Sequence, residues 1–218
     1  ILFGFSLNEI LQDQDIQEST TWLKQSVQWL KRSGRMVLTE PAESEICRNL
    51  QKVASRVVEE NKELSLWAPY FNGLRCPMTF QDSKYFSHEV RKYKALAQVE
   101  KINRQLHLEI REVKFGLSIL GFDEIMEEST GPNTLRLISP VKKRKGTLSF
   151  MGMGADGIEY LYEFQRRDLE KEMIRDLLAM ERGDAFRIVG DLTATENRRI
   201  RLLPSHEFHS LFTPRFTT

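Results

Sequence analysis

Gly152-Met153-Gly154-Ala155-Asp156-Gly157 spells G-x-G-x-x-G. That spacing lets a backbone approach a pyrophosphate when the loop joins a strand to a helix N-terminus. The flanks fit in part: "TLSFM" reads as a strand, and "IEYLYEFQRRDLEKEMIRDLLAMERG" reads as one helix closed by Gly183. The wider context fits poorly. Asp156 adds negative charge where phosphates would lie. The helix outruns an ordinary dinucleotide crossover. The acid that should follow the second strand would have to be Asp191, which stands too far along to reach a ribose. No G-K-[ST] follows. A nucleotide-binding enzyme using Gly152, Gly154 and Gly157 is therefore the third choice, behind a structural glycine bend with Asp156 near the start of a helix. No cofactor and no small-molecule ligand is expected.

Lys142-Lys143-Arg144-Lys145, preceded by Pro140, resembles a short nuclear import signal. Ser139-Pro140 makes Ser139 a phosphorylation candidate. A phosphate there would add about −1.5 to −2 charge beside the lysines and weaken their hold on an acidic partner. Two further basic clusters, Arg91/Lys92/Lys94 and Arg198/Arg199/Arg201, could join the run in binding phosphates, provided that the three share a face. No recognition helix, zinc finger or RNP motif accompanies them.

Other chemistry is sparse. His206-Glu207-Phe208-His209 lacks the one-turn spacing of a zinc-binding helix, so no metal is expected. His88 and His107 stand alone. There is no G-x-S-x-G elbow. Arg182-Gly183-Asp184 spells an integrin-type tripeptide at a predicted helix end, where chance is the better account.

These residues need elements to carry them. "ESTTWLKQSVQWLKRSG" predicts a helix capped by Ser19 or Thr20, with Trp22, Leu23, Val27, Trp29 and Leu30 on its apolar side. "MVLTEPAESEICRNLQKVASRVVEENKEL" predicts a second, with Pro41 in its first turn. In "KALAQVEKINRQLHLEIREVKFGLSILGF" the residues Val99, Ile102, Leu106, Ile110, Val113, Leu117 and Leu120 step by threes and fours. They predict one long helix with a buried seam, although Leu106, Leu108 and Ile110 alternate like a strand, and Gly116 and Gly121 weaken the helix. Beyond residue 130 the texture predicts β-β-α-β-β, with the basic run as a hairpin loop between "TLRLIS" and "GTLSFM".

The bulk numbers bound the rest. The chain has 218 residues, of which 40% are hydrophobic and 29% charged, and a net charge of +1. The small net charge gives no global pull toward nucleic acid or acidic membranes. Two cysteines, Cys47 and Cys76, make no disulfide framework and suit a reducing compartment. No apolar run approaches the roughly 20 residues that span a bilayer. The start lacks a basic leader, and both ends read as cut from something longer.

The expected fold is α+β: a mainly helical region with one long helix over 1–130, then a small ββαββ part over 131–218. The expected function is a non-enzymatic interaction or assembly module of a larger protein, with other protein subunits as partners. The alternative is a nucleic-acid contact module using the three basic clusters. The expected location is intracellular, and nuclear if the basic run is an import signal.

Overall fold

The computed structural model describes residues 1–10, 15–70, 76–80, 85–122, 131 and 133–212. The first half contains β1 (Leu2–Gly4), α1 (Leu7–Ile10), α2 (Ile16–Val27), β2 (Arg35–Pro41), α3 (Ser44–Glu60), β3 (Ser65–Ala68), α4 (Pro77–Phe80), β4 (Glu89–Lys92), α5 (Ala97–Gln105) and β5 (Glu112–Gly121). The second half contains β6 (Thr134–Leu137), β7 (Lys142–Lys143), β8 (Thr147–Gly154), β9 (Glu159–Gln165), α6 (Lys171–Ala179), β10 (Ala185–Val189), β11 (Arg199–Leu202) and β12 (Glu207–Phe212).

The expected mainly helical region is instead a helix-backed sheet. β5 is its spine. Antiparallel β2 runs along one side, from Pro41 opposite Phe115 to Arg35 opposite Gly121. On the other side β4 pairs with residues 112–115 and β3 with residues 119–121. β1 adds in parallel to β2. α2 and α3 cover one face. Leu50, Val53, Ala54 and Val57 of α3 form a helical stripe that meets Leu23, Met36, Leu38, Leu66 and Leu120.

The helix boundaries also shift from expectation. Asp15 caps α2 through Glu18 N at 2.8 Å, with the Glu18 carboxylate returning to Asp15 N. This capping box displaces Ser19 and Thr20, which lie buried within the helix. Residues 36–41, the opening of the segment expected to form the second helix, lie in strand β2. Trp29, expected on the apolar side of the first helix, is exposed.

The expected long helix breaks in two. Only Ala97–Gln105 is helical, residues 106–111 form a connection, and Glu112–Gly121 becomes β5. The choice follows from packing. A Cβ at Gly116 would lie 2.9 Å from Cys47 Sγ, so glycine lets α3 settle against the strand. The proposed seam does not exist: Leu106 is 62% exposed and Val113 37%.

The second half is also a sheet, with strand order β11-β9-β8-β6-β10-β12. β6, β8 and β9 follow one another antiparallel. β10 returns beside β6 after a long connection carrying α6. The spatial order 4-1-2-3 is a Greek key. β11 then pairs in parallel with β9, and β12 pairs antiparallel with β10. The two ends of the sheet are therefore consecutive in the chain, and the sheet must roll up to seat both. Laid flat, β12 and β9 would be four strand spacings apart, about 19 Å. Instead the rings of Phe208 and Phe164 are 6.0 Å apart, and Phe208 also lies 6.5 Å from Phe150 and 6.1 Å from Phe186. The result is a five-stranded, partly open Greek-key barrel, the OB architecture. Its fifth strand is split into β11 and β12, and its first bends from β6 into β7. Leu135, Leu137, Leu148, Phe150, Tyr162, Phe164, Phe186, Ile188, Ile200 and Leu202 fill the inside, with α6 contributing Leu177. The expected ββαββ order omits β9, whose residues it assigns to the helix.

Because Val113 lies on an exposed stretch of β5, Val113→Asp is expected to change stability by less than about 0.5 kcal/mol. A buried seam would lose several times that. Urea unfolding of the purified variant measures the difference.

Candidate nucleic-acid interface

In the barrel, Leu148 and Phe150 point inward, so Ser149 and Met151 point outward. Register carries this alternation across four strands. Lys142 pairs with Ser149, Ser149 with Glu163, and Glu163 with Arg201. The next rung holds Met151, Leu161 and Arg199. At the other end Arg144 N donates to Thr147 O at 2.9 Å, and Thr147 lies opposite Gln165. One outer face thus has cations on both flanks, Lys142 and Arg144 on one side and Arg199 and Arg201 on the other. Three strand spacings separate β7 from β11, about 14 Å. Between the flanks lie the half-buried Leu161 and the carboxylate of Glu163, whereas Ser149 is buried and Met151 packs against the cluster of Tyr70, Cys76, Met78, Ile138 and Met153.

The basic run is itself a tight hairpin. Lys142–Lys143 form β7, and Gly146 takes a φ of 84° in the turn to β8. Lys142, Lys143, Arg144 and Lys145 are all exposed. Arg166 N donates to Gly146 O at 2.8 Å and brings the exposed Arg167 beside the turn. Sequence reasoning missed Arg167 because it placed both arginines inside a helix. On the far flank Arg201 Nη2 approaches Asp168 Oδ2 at 4.0 Å. Arg198 has a φ of 55° at the entry to β11.

Two of the three sequence clusters therefore converge, and the third does not. Arg91 of β4 is buried between the two sheets. Its Nη2 lies 2.5 Å from Glu89 Oε2, and its Nη1 donates to Arg182 O. Glu89 in turn pairs with Arg136 of β6, and both are at most 3% exposed. Arg136 also donates to Ser87 Oγ at 3.3 Å and lies 5.3 Å from the Tyr70 ring. Arg182 ties the segment leading into β4 to the barrel, donating to Phe86 O at 2.7 Å, His88 O at 3.1 Å and Ile138 O at 2.5 Å. Lys92 is exposed and lies 3.5 Å from Glu181. Lys94 is exposed.

Beside this junction is a cleft of about 440 Å³ between the β4–β5 face and the barrel segment Pro140–Val141 with the end of α6. Lys92, Lys114, Glu112 and Glu181 stand around it, over Val90, Val141, Leu178 and Met180. His88 lies at its back. Burial, and then the charges of Arg182 and Arg136, push its pKa down to about 4.

The remaining candidates sit elsewhere. Gly152 and Gly154 lie within β8, and Gly157 is in the turn to β9 with a φ of 78°. The glycine segment is thus a β-hairpin and opens no helix. Asp156 is engaged in the turn, accepting from Ile158 N at 2.9 Å and from the Tyr160 hydroxyl at 2.7 Å. Ser139 is buried, and its Oγ accepts from Met151 N at 2.9 Å. A kinase would have to open the strand end to reach it. Both cysteines are buried, and burial pushes their thiols up, Cys47 to about 11. Among the described residues no three His, Cys, Asp or Glu side chains cluster as a metal site, and no helix is long and apolar enough to cross a membrane. No family model matches the chain, and no curated protein matches it in sequence.

The junction can be tested by mutation and by pH. Glu89→Gln leaves Arg91 and Arg136 buried without their carboxylate, and is expected to cost about 3–5 kcal/mol in denaturant unfolding. Cooperative unfolding at wild-type stability would show that the ion network is dispensable. The second test uses His88. Unfolded His88 binds a proton near 6.5, whereas the folded residue resists until about 4. Between those values the unfolded state holds more protons, so stability is full above about 6.5 and falls as pH drops toward 4. His88→Gln is expected to flatten this part of the urea midpoint against pH curve.

Proposed function

We propose that this chain is a non-enzymatic module of a larger assembly that contacts single-stranded nucleic acid through the outer face of its barrel. One observation carries the reading: strand register brings Lys142 and Arg144 to one flank of a face, and Arg199 and Arg201 to the other. OB barrels bind oligonucleotides on this pair of central strands and the adjoining loops. That likeness is architectural and supplies a prior only. The site itself argues for backbone contact. Among the described residues its open apolar side chain is Leu161, since Met151 packs against the Tyr70, Cys76 and Met78 cluster, so phosphates dominate over bases. Binding is expected to be sequence-tolerant and steeply salt-dependent.

A second observation supports assembly with another protein subunit. The arm between β4 and β5 exposes Leu96, Ile102, Leu106, Leu108 and Ile110. Asn103 holds its shape, donating to Ile110 O at 3.1 Å and accepting from Ile110 N at 3.4 Å. A nine-residue helix is marginal in water unless its apolar side is covered. Lys94, Lys101 and Arg104 lie on the arm with Glu109, and Arg111 pairs with Glu100 at 3.6 Å, so the apolar side chains carry a rim of both signs. Nuclear import is a further use of Lys142–Lys145. It requires the run to leave its ladder and extend on a receptor.

Replacing Lys142, Lys143, Arg144, Lys145, Arg199 and Arg201 together with Ala tests the main reading. All are exposed, so the melting temperature is expected to stay within about 2 °C. The slope of log K against log salt for oligo(dT) is expected to fall by about 0.7 for each phosphate that the variant no longer neutralises. An unchanged slope overturns the reading.

A further inference from the structure

We propose that the nucleic-acid strand does not end at the barrel's flank but crosses β7 and seats one nucleotide in the cleft between β4–β5 and α6. This rests on the nucleic-acid reading above and adds a site to it. The order in space is cleft, β7, β8, β9, β11. Val141 lines the cleft, and the next residue, Lys142, stands on the outer face. A strand held by Lys142 and Arg144 therefore meets the cleft mouth within about one residue's rise, 3.4 Å.

The cleft has the means to hold a nucleotide. Its volume of about 440 Å³ lies within the range of small-ligand sites. Val90, Leu178 and Met180 give it an apolar floor for a base. Lys92 and Lys114 supply two phosphate-binding cations on its β4–β5 wall, where Val90 pairs with Lys114 and Lys92 with Glu112. Each lysine now leans on a carboxylate, Lys92 on Glu181 at 3.5 Å and Lys114 on Glu112 at 4.0 Å. Both lysines are more than half exposed, so these bridges are weak and a phosphate can compete for either lysine. Released, Glu181 and Glu112 can accept hydrogen bonds from a base edge. Arg182 does not compete, because three backbone carbonyls occupy it.

Fluorescence anisotropy with labelled oligo(dT) of about four and about twelve nucleotides tests this, since barrels of this kind cover about 4–16 nucleotides. Three proteins are compared with wild type: the sixfold barrel variant above, Lys92→Ala/Lys114→Ala, and Leu178→Glu, which places a carboxylate on the cleft floor. The barrel variant is expected to weaken both oligonucleotides. The double lysine variant is expected to weaken the 12-mer at least about fivefold and lower its salt slope by about 1.4, leaving the 4-mer unchanged. Leu178→Glu is expected to act in the same direction. If the cleft variants leave the 12-mer untouched while the barrel variant weakens it, the cleft inference falls and the barrel reading stands. Equal losses for both lengths also overturn the inference, because the cleft would not be an extension. If the barrel variant binds both as wild type does, the barrel reading falls and takes the cleft with it.

Discussion

Glu89 is shared by Arg91 and Arg136, and the relation of the two sheets depends on that shared carboxylate. Arg136 projects from the outside of the barrel, the face opposite Leu135 and Leu137. Left open to solvent it would need no partner. Covered by β4, it needs a negative charge close by, because a buried unpaired guanidinium is far more costly than a paired one. Glu89 meets that need from the neighbouring sheet and thereby sets where β4 lies on β6. Arg182 completes the joint by bonding the carbonyls of Phe86 and His88 in the segment that leads into β4.

The joint also explains the tripeptide Arg182-Gly183-Asp184 without any receptor. Arg182 bridges the sheets. Gly183 has a φ of 95°, and a Cβ there would collide with Glu89 Oε2. Asp184 accepts from Glu181 N at 2.8 Å and closes the turn after α6. Each residue type answers a local demand: a long donor, no side chain, a short acceptor. The cleft beside the joint follows from the same geometry. The gap opens between the β4–β5 face and the end of α6, beyond the residues that the ion network joins.

Much of the barrel was legible, and its closure was not. The strands at 134–137 and 147–154 and the basic hairpin between them follow from alternation and from Gly146. Asp156-Gly157 is a hairpin signal, and Tyr160, Tyr162 and Phe164 alternate behind it. The glycine spacing and the strong helix formers after Gln165 drew β9 into a helix that begins only at Lys171. Val99 to Leu120 failed for a different reason. Steps of three and four and steps of two coincide at Leu106, Ile110 and Leu120, so spacing alone cannot choose between helix and strand. Contact with Cys47 through Gly116 decides it, and that contact joins α3 to a strand far along the chain. The ion network was out of reach altogether, since Glu89 and Arg136 are 47 residues apart.

Basic clusters in a sequence count charges without sorting them. Arg91 and Lys92 are neighbours, yet alternation along β4 sends one into the junction and the other to the cleft. Along β11, Arg199 and Arg201 share a side because they are two residues apart, and Ile200 and Leu202 go to the core. A strand thus divides a basic run into structural and available cations by parity alone. Two arginines spaced by one apolar residue on a strand stand on the same side, whereas adjacent cations alternate between sides. Parity thus puts Arg199 and Arg201 on the side of the sheet that Lys142 and Arg144 flank from β7 and its turn.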